Sequence, residues 1–492
     1  MIFINGHEIV LDHEERLEPW TDYGRVVWLA MNFIKNCPVE AHNGLPWYLQ
    51  YSCFWTDPLR PVVWPDNPAG KFAWAVTTLL KYYPYSGDAT FVDITRTMLE
   101  RLWEQRTPEG YAWAGLPYAS AHPGTGGYFG ARADGEYVTE PDKAAQAGKA
   151  YLDFYKLTGE ERYFDISIRI ATELTQHLRM GDGERSPWPF RVDVRDGRVV
   201  EEYTSHLIPA VRLFEDLARL GEERFAAKRD QVWDWLAAYP LKTNLWKGHF
   251  EDIRLDPGNG NRDQVSPLET ARYILERRIQ IPDWQEMSRN LILWVKDTLG
   301  GRPFFTAVPI HEQKYCYFVM GSHTARYASL CAQYAEATGD ASMWEEAKRS
   351  FNWATYMAGD DGLVTVGVDR PDYYNQCWFT DGYFDYVPHF IDGMAAMPET
   401  APADSDHLLH STSVVQQINY NPYRVSYRTF SPGTQILRLT FKPVSVQAGR
   451  EPLSYQASPA GGPGWTFDED QRVLRIISND REVVISGCTE RG

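Results

Sequence analysis

Apolar positions spaced i, i+3, i+4, i+7 mark the segments on either side of a set of short turns, the spacing of helices that bury one face. Ala144 to Leu157 and Phe164 to Leu178 flank one such turn. The turns themselves are Gly87-Asp88, Gly159-Glu160, Gly221-Glu222, Pro282-Asp283 and Gly339-Asp340, separated by 72, 62, 61 and 57 residues. An aromatic follows each within a few positions: Phe91, Tyr163, Phe225, Trp284 and Trp344. This period predicts five helical hairpins, roughly 68–105, 142–178, 204–238, 264–298 and 322–357, with single helices at Tyr23 to Lys35 and Gly382 to Met394. If the two single helices pair, six hairpins close into an (α/α)6 toroid over residues 1–397. The alternative is an open solenoid, but its repeats run ~34 to ~47 residues with short loops.

The long segments here lie between hairpins, at Ala112 to Pro141, Gly248 to Asp263, Gly301 to Gly321 and Ala358 to Asp381. Long loops in a compact domain are usually functional, and all of these precede the first helix of a hairpin, so they gather at one end of the ring. After Met397 the pattern changes. Residues 398–411 read as a Pro-rich, acidic linker, in which His407 and His410 are expected to face solvent. Val414 to Ile418, Tyr423 to Phe430, Gln435 to Phe441, Val473 to Ile477 and Val483 to Ile485 then alternate as strands, predicting a small antiparallel β-sandwich-like domain over 412–492.

Composition narrows the function. The 492 residues carry 66 Asp and Glu against 49 Lys and Arg, a net charge of −17, which argues against nucleic acid or an anionic membrane as partner. Trp, Tyr and Phe make up 14% of the chain, rings that fill a core or form platforms for sugars. Six scattered cysteines without a CxxC pair signal neither a disulfide framework nor a thiolate zinc site. The acidic N-terminus has no basic start or apolar stretch, so a soluble, cytoplasmic chain is expected, although a trimmed secretion signal leaves the same trace. No HExxH, EF-hand, GxSxG or P-loop occurs, and the glycines at 124, 126, 127 and 130 lack a strand-to-helix context; no metal and no cofactor is expected.

The polar residues at the inner-helix starts are the candidates for chemistry. They are Asp66, Asn67 and Lys71; Glu140, Asp142 and Lys143; Tyr203, Ser205 and His206; Arg262, Asp263 and Gln264; His323, Thr324 and Arg326; and Asp381 with Tyr383. Helix capping accounts for each Asp singly. It does not account for Lys71, Lys143, Arg262, His323 and Arg326, because the macrodipole disfavours cations at helix N-termini. Two carboxylates across a ring suit glycosidic cleavage, and the cations suit a substrate carboxylate, pointing to a uronic-acid sugar. Trp47, Trp55 and Trp64 can stack on sugar faces or pack their loop. Elimination from a uronate uses a Tyr or His base instead, for which Tyr203 with His206 and His323 with Tyr327 are the candidate pairs.

The repeats, together with WPDNPAGKFAW (Trp64 to Trp74), TEPDKAAQAGKAYLDFYKLTGE (Thr139 to Glu160) and WFTDGYFDY (Trp378 to Tyr386), resemble the six-hairpin glycosidase superfamily over residues 20 to 397. The resemblance implies an (α/α)6 toroid and a carbohydrate-active enzyme, nearest to glucuronyl hydrolases. By position Asp142 is similar to the acid of that group, with Asp66 as partner and His206 as a sugar contact. The expectation is a glycoside hydrolase acting on glucuronic-acid-containing oligosaccharides, with Asp142 as general acid, Asp66 or Asp381 opposite it, and Lys143, Arg262, His323 and Arg326 holding the uronate. A uronate lyase using Tyr203 or His206, and a non-catalytic glycan-binding scaffold, are the alternatives.

Overall fold

The computed structural model describes residues 2–488 except 51–52, 57, 63–66, 123, 129–135, 250–259, 369–374 and 458–461. Asp66 and Trp64 therefore lie outside the described residues.

The helices are α1 (Tyr23–Lys35), α2 (Pro68–Ser86), α3 (Thr90–Glu104), α4 (Pro141–Thr158), α5 (Glu161–Gln176), α6 (Ile208–Arg219) and α7 (Ala226–Ala238). They continue with the single turn α8 (Pro240–Thr243), then α9 (Val265–Glu276), α10 (Trp284–Leu299), α11 (Gly321–Thr338), α12 (Ala341–Thr355) and α13 (Val387–Ala396). Helices α2, α4, α6, α9, α11 and α13 contact one another in that order and α13 returns to α2, closing the inner ring. Their partners α3, α5, α7, α10, α12 and α1 form the outer layer. The mainly helical (α/α)6 toroid is the fold.

Local sequence explains the division. Inner helices α4 and α11 are buried along nearly their whole length and are rich in Ala and Gly, which let backbones approach. Outer helices such as α5 bury a single stripe, Tyr163, Ile166, Ile170 and Leu174 among it. The repeated turns stop the inner helices: Gly87, Gly159 and Gly339 sit at φ 76°, 75° and 77°, a left-handed conformation that glycine adopts without steric cost. The ring is sealed by α1 on α13, where Tyr23 meets Phe390 at 5.4 Å. Ahead of α13, a π-helical turn over Phe379–Phe384 carries Asp381, so this residue stands on a widened turn rather than at a regular helix start.

Beyond the ring lie two antiparallel sheets. One has the order His407–Ser411, Gly433–Arg438, Val473–Ser478, Gly464–Asp468; the other, Val415–Asn421, Arg424–Thr429, Glu482–Cys488, Lys442–Ala448, Glu451–Pro452. Alternate residues such as Val425 and Tyr427 or Leu474 and Ile476 are buried, the period-2 pattern of a half-covered sheet. The first strand occupies His407–Ser411, the end of the segment read from sequence as linker. His407 is accordingly not solvent-facing: it stacks on Tyr85 at 4.1 Å and bonds the Tyr85 carbonyl at 2.8 Å. The sheets sit against the C-terminal ends of α2 and α4, where Tyr420 donates to the Pro84 carbonyl and Gln416 to the Lys156 carbonyl. That leaves the opposite end, where the inner helices begin, for the long loops.

Candidate active site

Asp142 opens the group. It lies in the first turn of α4, which Pro141 starts, and has no exposed surface. One carboxyl oxygen accepts the Lys143 backbone N–H at 2.8 Å; the other lies 3.1 Å from Thr204 Oγ and 3.5 Å from Lys143 Nζ. Thr204 has one proton, and its better acceptor is the Gly248 carbonyl at 2.6 Å. The 3.1 Å contact is therefore best filled by a proton on Asp142. Burial, with Glu140 nearby adding like charge, pushes the Asp142 carboxyl up to about 7 against the opposing pull of Lys143.

Glu140, one residue before the helix, is a buried hub. It accepts from Asn67 Nδ2 at 2.9 Å and Arg191 Nε at 2.9 Å, and lies 3.6 Å from Lys143 Nζ. Lys143 Nζ in turn donates to the His249 carbonyl at 2.8 Å. Lys71 is buried on the first turn of α2.

Three imidazoles complete this end. His206 precedes α6, its ring 4.4 Å from that of His249, and both rings are buried. Neither ring nitrogen of His206 has a hydrogen-bond partner among the described residues. Burial, reinforced by the positive charge of Lys143, holds His206 and His249 well below the usual histidine range. Gly248 makes their approach possible: at φ +80°, a Cβ there would stand 2.2 Å from the Tyr203 carbonyl oxygen. Gly248→Ala is therefore expected to displace His249 and Thr204 and to cost at least tenfold in any activity of this site, measured as kcat/KM, while the circular dichroism of the helical ring stays unchanged.

Across the ring from α4, helix α11 supplies His323 and Arg326. His323 Nε2 is 3.8 Å from Asp381 and its Nδ1 is 3.8 Å from Asp385; burial pushes the imidazole down to about 3. Each donor atom of this trio lies within 4.8 Å of the others, but the two carboxylates face different ring nitrogens, so the imidazole bridges them rather than sharing one coordination point. Arg326 is fully buried, stacked 4.5 Å over Trp74, paired with Glu269 at 2.6 Å and bonded to Asp385. Asp385 also accepts from His389 at 3.0 Å.

Asp142, Lys143, His206, His323, Arg326, Asp381 and Lys71 thus stand on the inner-helix starts or the turn before α13. Other candidates serve the scaffold. Tyr203 donates to the Leu245 carbonyl at 3.1 Å and packs on Trp235, turned toward the outer layer. Asp263 caps α9, accepting the Ser266 N–H at 2.7 Å and its hydroxyl at 3.1 Å. Tyr383 donates to the Gly362 carbonyl at 3.2 Å and stacks on Phe33. Trp47 is buried against Phe54, Trp55 is half-buried on the strand Cys53–Thr56, and Arg262 Nη1 donates to the Asn261 carbonyl at 2.7 Å. The residues that helix spacing missed are Arg191, Thr204, His249, Glu269 and Asp385. His249 sits on a loop and Arg191 on the short strand Arg191–Asp193 between hairpins, where no helical periodicity points inward; Asp385 is four residues after Asp381 in WFTDGYFDY, and that spacing was its only signal.

No protein-family model and no curated protein sequence matches the chain. Its structure does match solved ones. It is similar to a D-mannose isomerase (TM-score 0.56, 9% identity, 76% of this chain and 97% of that one). It is also similar to a sugar epimerase from a ruminal bacterium (0.51, 12%, 75% and 98%) and to the cellobiose 2-epimerase of Spirochaeta thermophila (0.51, 11%, 71% and 90%). These three neighbours are sugar-converting enzymes by name, and what the likeness establishes is architecture: the chain shares their (α/α)6 fold.

Proposed function

We propose that this protein is a carbohydrate-active enzyme working by proton transfer at the inner-helix starts, and that the reaction is hydrolysis of a glycosidic bond in a uronate-containing oligosaccharide. The observation that carries the reading is Asp142, whose burial pushes its carboxyl up to about 7, so that near neutrality it still holds a proton to give to a leaving oxygen. Asp381, partly exposed on its π-helical turn, is the carboxylate assigned to the opposing role in this reading. Lys143, 3.5 Å from Asp142, and Arg191, paired with Glu140, suit a sugar carboxylate.

A second reading rests on His206. A buried, neutral imidazole with neither nitrogen engaged among the described residues is a base for removing a proton next to a sugar carbonyl, the step of an isomerase or epimerase. The named neighbours support it at the level of fold alone. Uronate elimination would draw on the same base.

One experiment separates these. The protein is incubated in D2O with a panel of uronate oligosaccharides, glucuronides and free aldoses, following reducing ends, ultraviolet absorbance and proton spectra together. New reducing ends without absorbance are expected. Deuterium entering a free aldose at C2, lost in His206→Asn, would replace hydrolysis with isomerisation or epimerisation. New absorbance would mean elimination, and binding without turnover of any substrate would mean a non-catalytic scaffold.

A further inference from the structure

On the face of the ring away from His206, His249 and His323, a cavity of about 1100 Å³ lies between the inner helices and the four-stranded sheet. Its lining holds nine Lys or Arg side chains and five Asp or Glu, in a chain whose net charge is −17. Cations in the last turn of a helix merely complement its dipole, but Lys81, Lys149, Arg212 and Arg272 stand before the last turns of α2, α4, α6 and α9.

The acids there are shared between cations. Asp216 sits 3.2 Å from Lys149 and 2.7 Å from Lys156; Asp392 pairs with both Lys81 and Arg272; Glu276 lies 2.5 Å from Arg212 and 3.9 Å from Arg277. Glu215 and Glu269, outside the lining, pair with Arg219, Arg277 and Arg272, which brings the acids to seven and still leaves two cations in excess. Arg278 is the clearest of these: it is exposed, reaches only the Leu275 carbonyl at 3.5 Å, and has no carboxylate within pairing distance among the described residues. The sheet side presents Ser431, Thr434, Gln456 and the indole of Trp465. Hydroxyls, an amide and part of an indole opposite a surplus of positive charge suit a pyranose carrying a negative group, and the volume accommodates one or two rings.

We propose that this chamber is a second saccharide site, taking a small sugar that bears a carboxylate or a phosphate. It is separate from the inner-helix starts and does not depend on the reaction proposed there. The test is calorimetric titration of the full chain with D-glucuronate, glucose 6-phosphate, inorganic phosphate and glucose. Wild type is compared with Arg278→Glu, Ser431→Phe and Asp142→Asn, each checked by thermal melting. The expected result is binding of at least one anionic sugar that is weakened about tenfold or more by Arg278→Glu and by Ser431→Phe, and retained in Asp142→Asn. Glucose should not bind measurably.

The proposal is overturned if neither anionic sugar binds, or if binding survives both chamber variants unchanged. Binding lost only in Asp142→Asn would also overturn it, by placing the sugar at the inner-helix starts. Inorganic phosphate binding as tightly as the sugars would make this an anion site without saccharide recognition. Failure of the reaction proposed above shows as absent turnover, a different readout.

Discussion

Asp142→Asn is expected to lower turnover about 10²- to 10⁴-fold, the usual contribution of a positioned general acid, and at the same time to make the protein more stable above neutral pH. The two effects share one cause. Asp142 is fully buried and its carboxyl lies at about 7 instead of the ordinary 3.8, so the folded state binds its proton more tightly than the unfolded chain does. A group raised in the fold contributes fully below its unfolded value, and that contribution is lost as pH rises toward and through 7. A shift of this size corresponds to roughly 4 kcal/mol lost by pH 8. Asparagine removes the titration while keeping both contacts: its oxygen accepts the Lys143 N–H and its amide donates to Thr204, whose own proton goes to Gly248. Urea denaturation at pH 5 and pH 8 checks the stability, with the variant's gain on wild type clearly larger at the higher pH. Wild-type activity should fall on the alkaline side with a midpoint near 7. Full activity in the asparagine variant would remove Asp142 from the chemistry.

Arg326→Leu is the substitution expected to cost most in stability, about 3–5 kcal/mol by equilibrium urea unfolding. Its guanidinium joins three inner-ring elements, pairing with Glu269 of α9 and Asp385 ahead of α13 while stacking on Trp74 of α2. Leucine leaves the buried Asp385 without its arginine and takes from Glu269 the closer of its two, and burial of a poorly compensated charge outweighs the packing retained. Against the upward push of burial, Arg326 holds Asp385, and Arg272 with Arg326 holds Glu269, below the usual carboxylate range. Adding Asp385→Asn to Arg326→Leu should therefore recover part of the loss. If Arg326→Leu is as stable as wild type, the network is dispensable to the ring.

Much of the architecture was legible because it rests on local, periodic features. The glycine stops at 87, 159 and 339 and the 3.6-residue apolar stripes repeat along the chain, and a period near 60 residues admits few closed arrangements. The pairing of α1 with α13 also follows, since six inner helices need a sixth outer partner. The last five residues of the linker were misread because His407 lacks the alternation of a strand on its own. It is held by Tyr85, 322 positions away in sequence.

The candidate site was legible by position and not by role. Helix starts locate Asp142, His206, His323 and Arg326 at one end, because a hairpin repeat must place them there. They cannot say that Asp263 is consumed by Ser266, that Tyr203 and Tyr383 turn outward onto backbone carbonyls, or that a loop delivers His249 and a short strand Arg191. Periodicity, turn chemistry and composition, read along the chain, determined the ring, its polarity and which end carries the polar starts. Which of those groups keeps its proton, and which cations remain in excess beneath the ring, was decided only by the tertiary structure, since burial and charge pairing depend on neighbours that the chain brings from tens to hundreds of residues away.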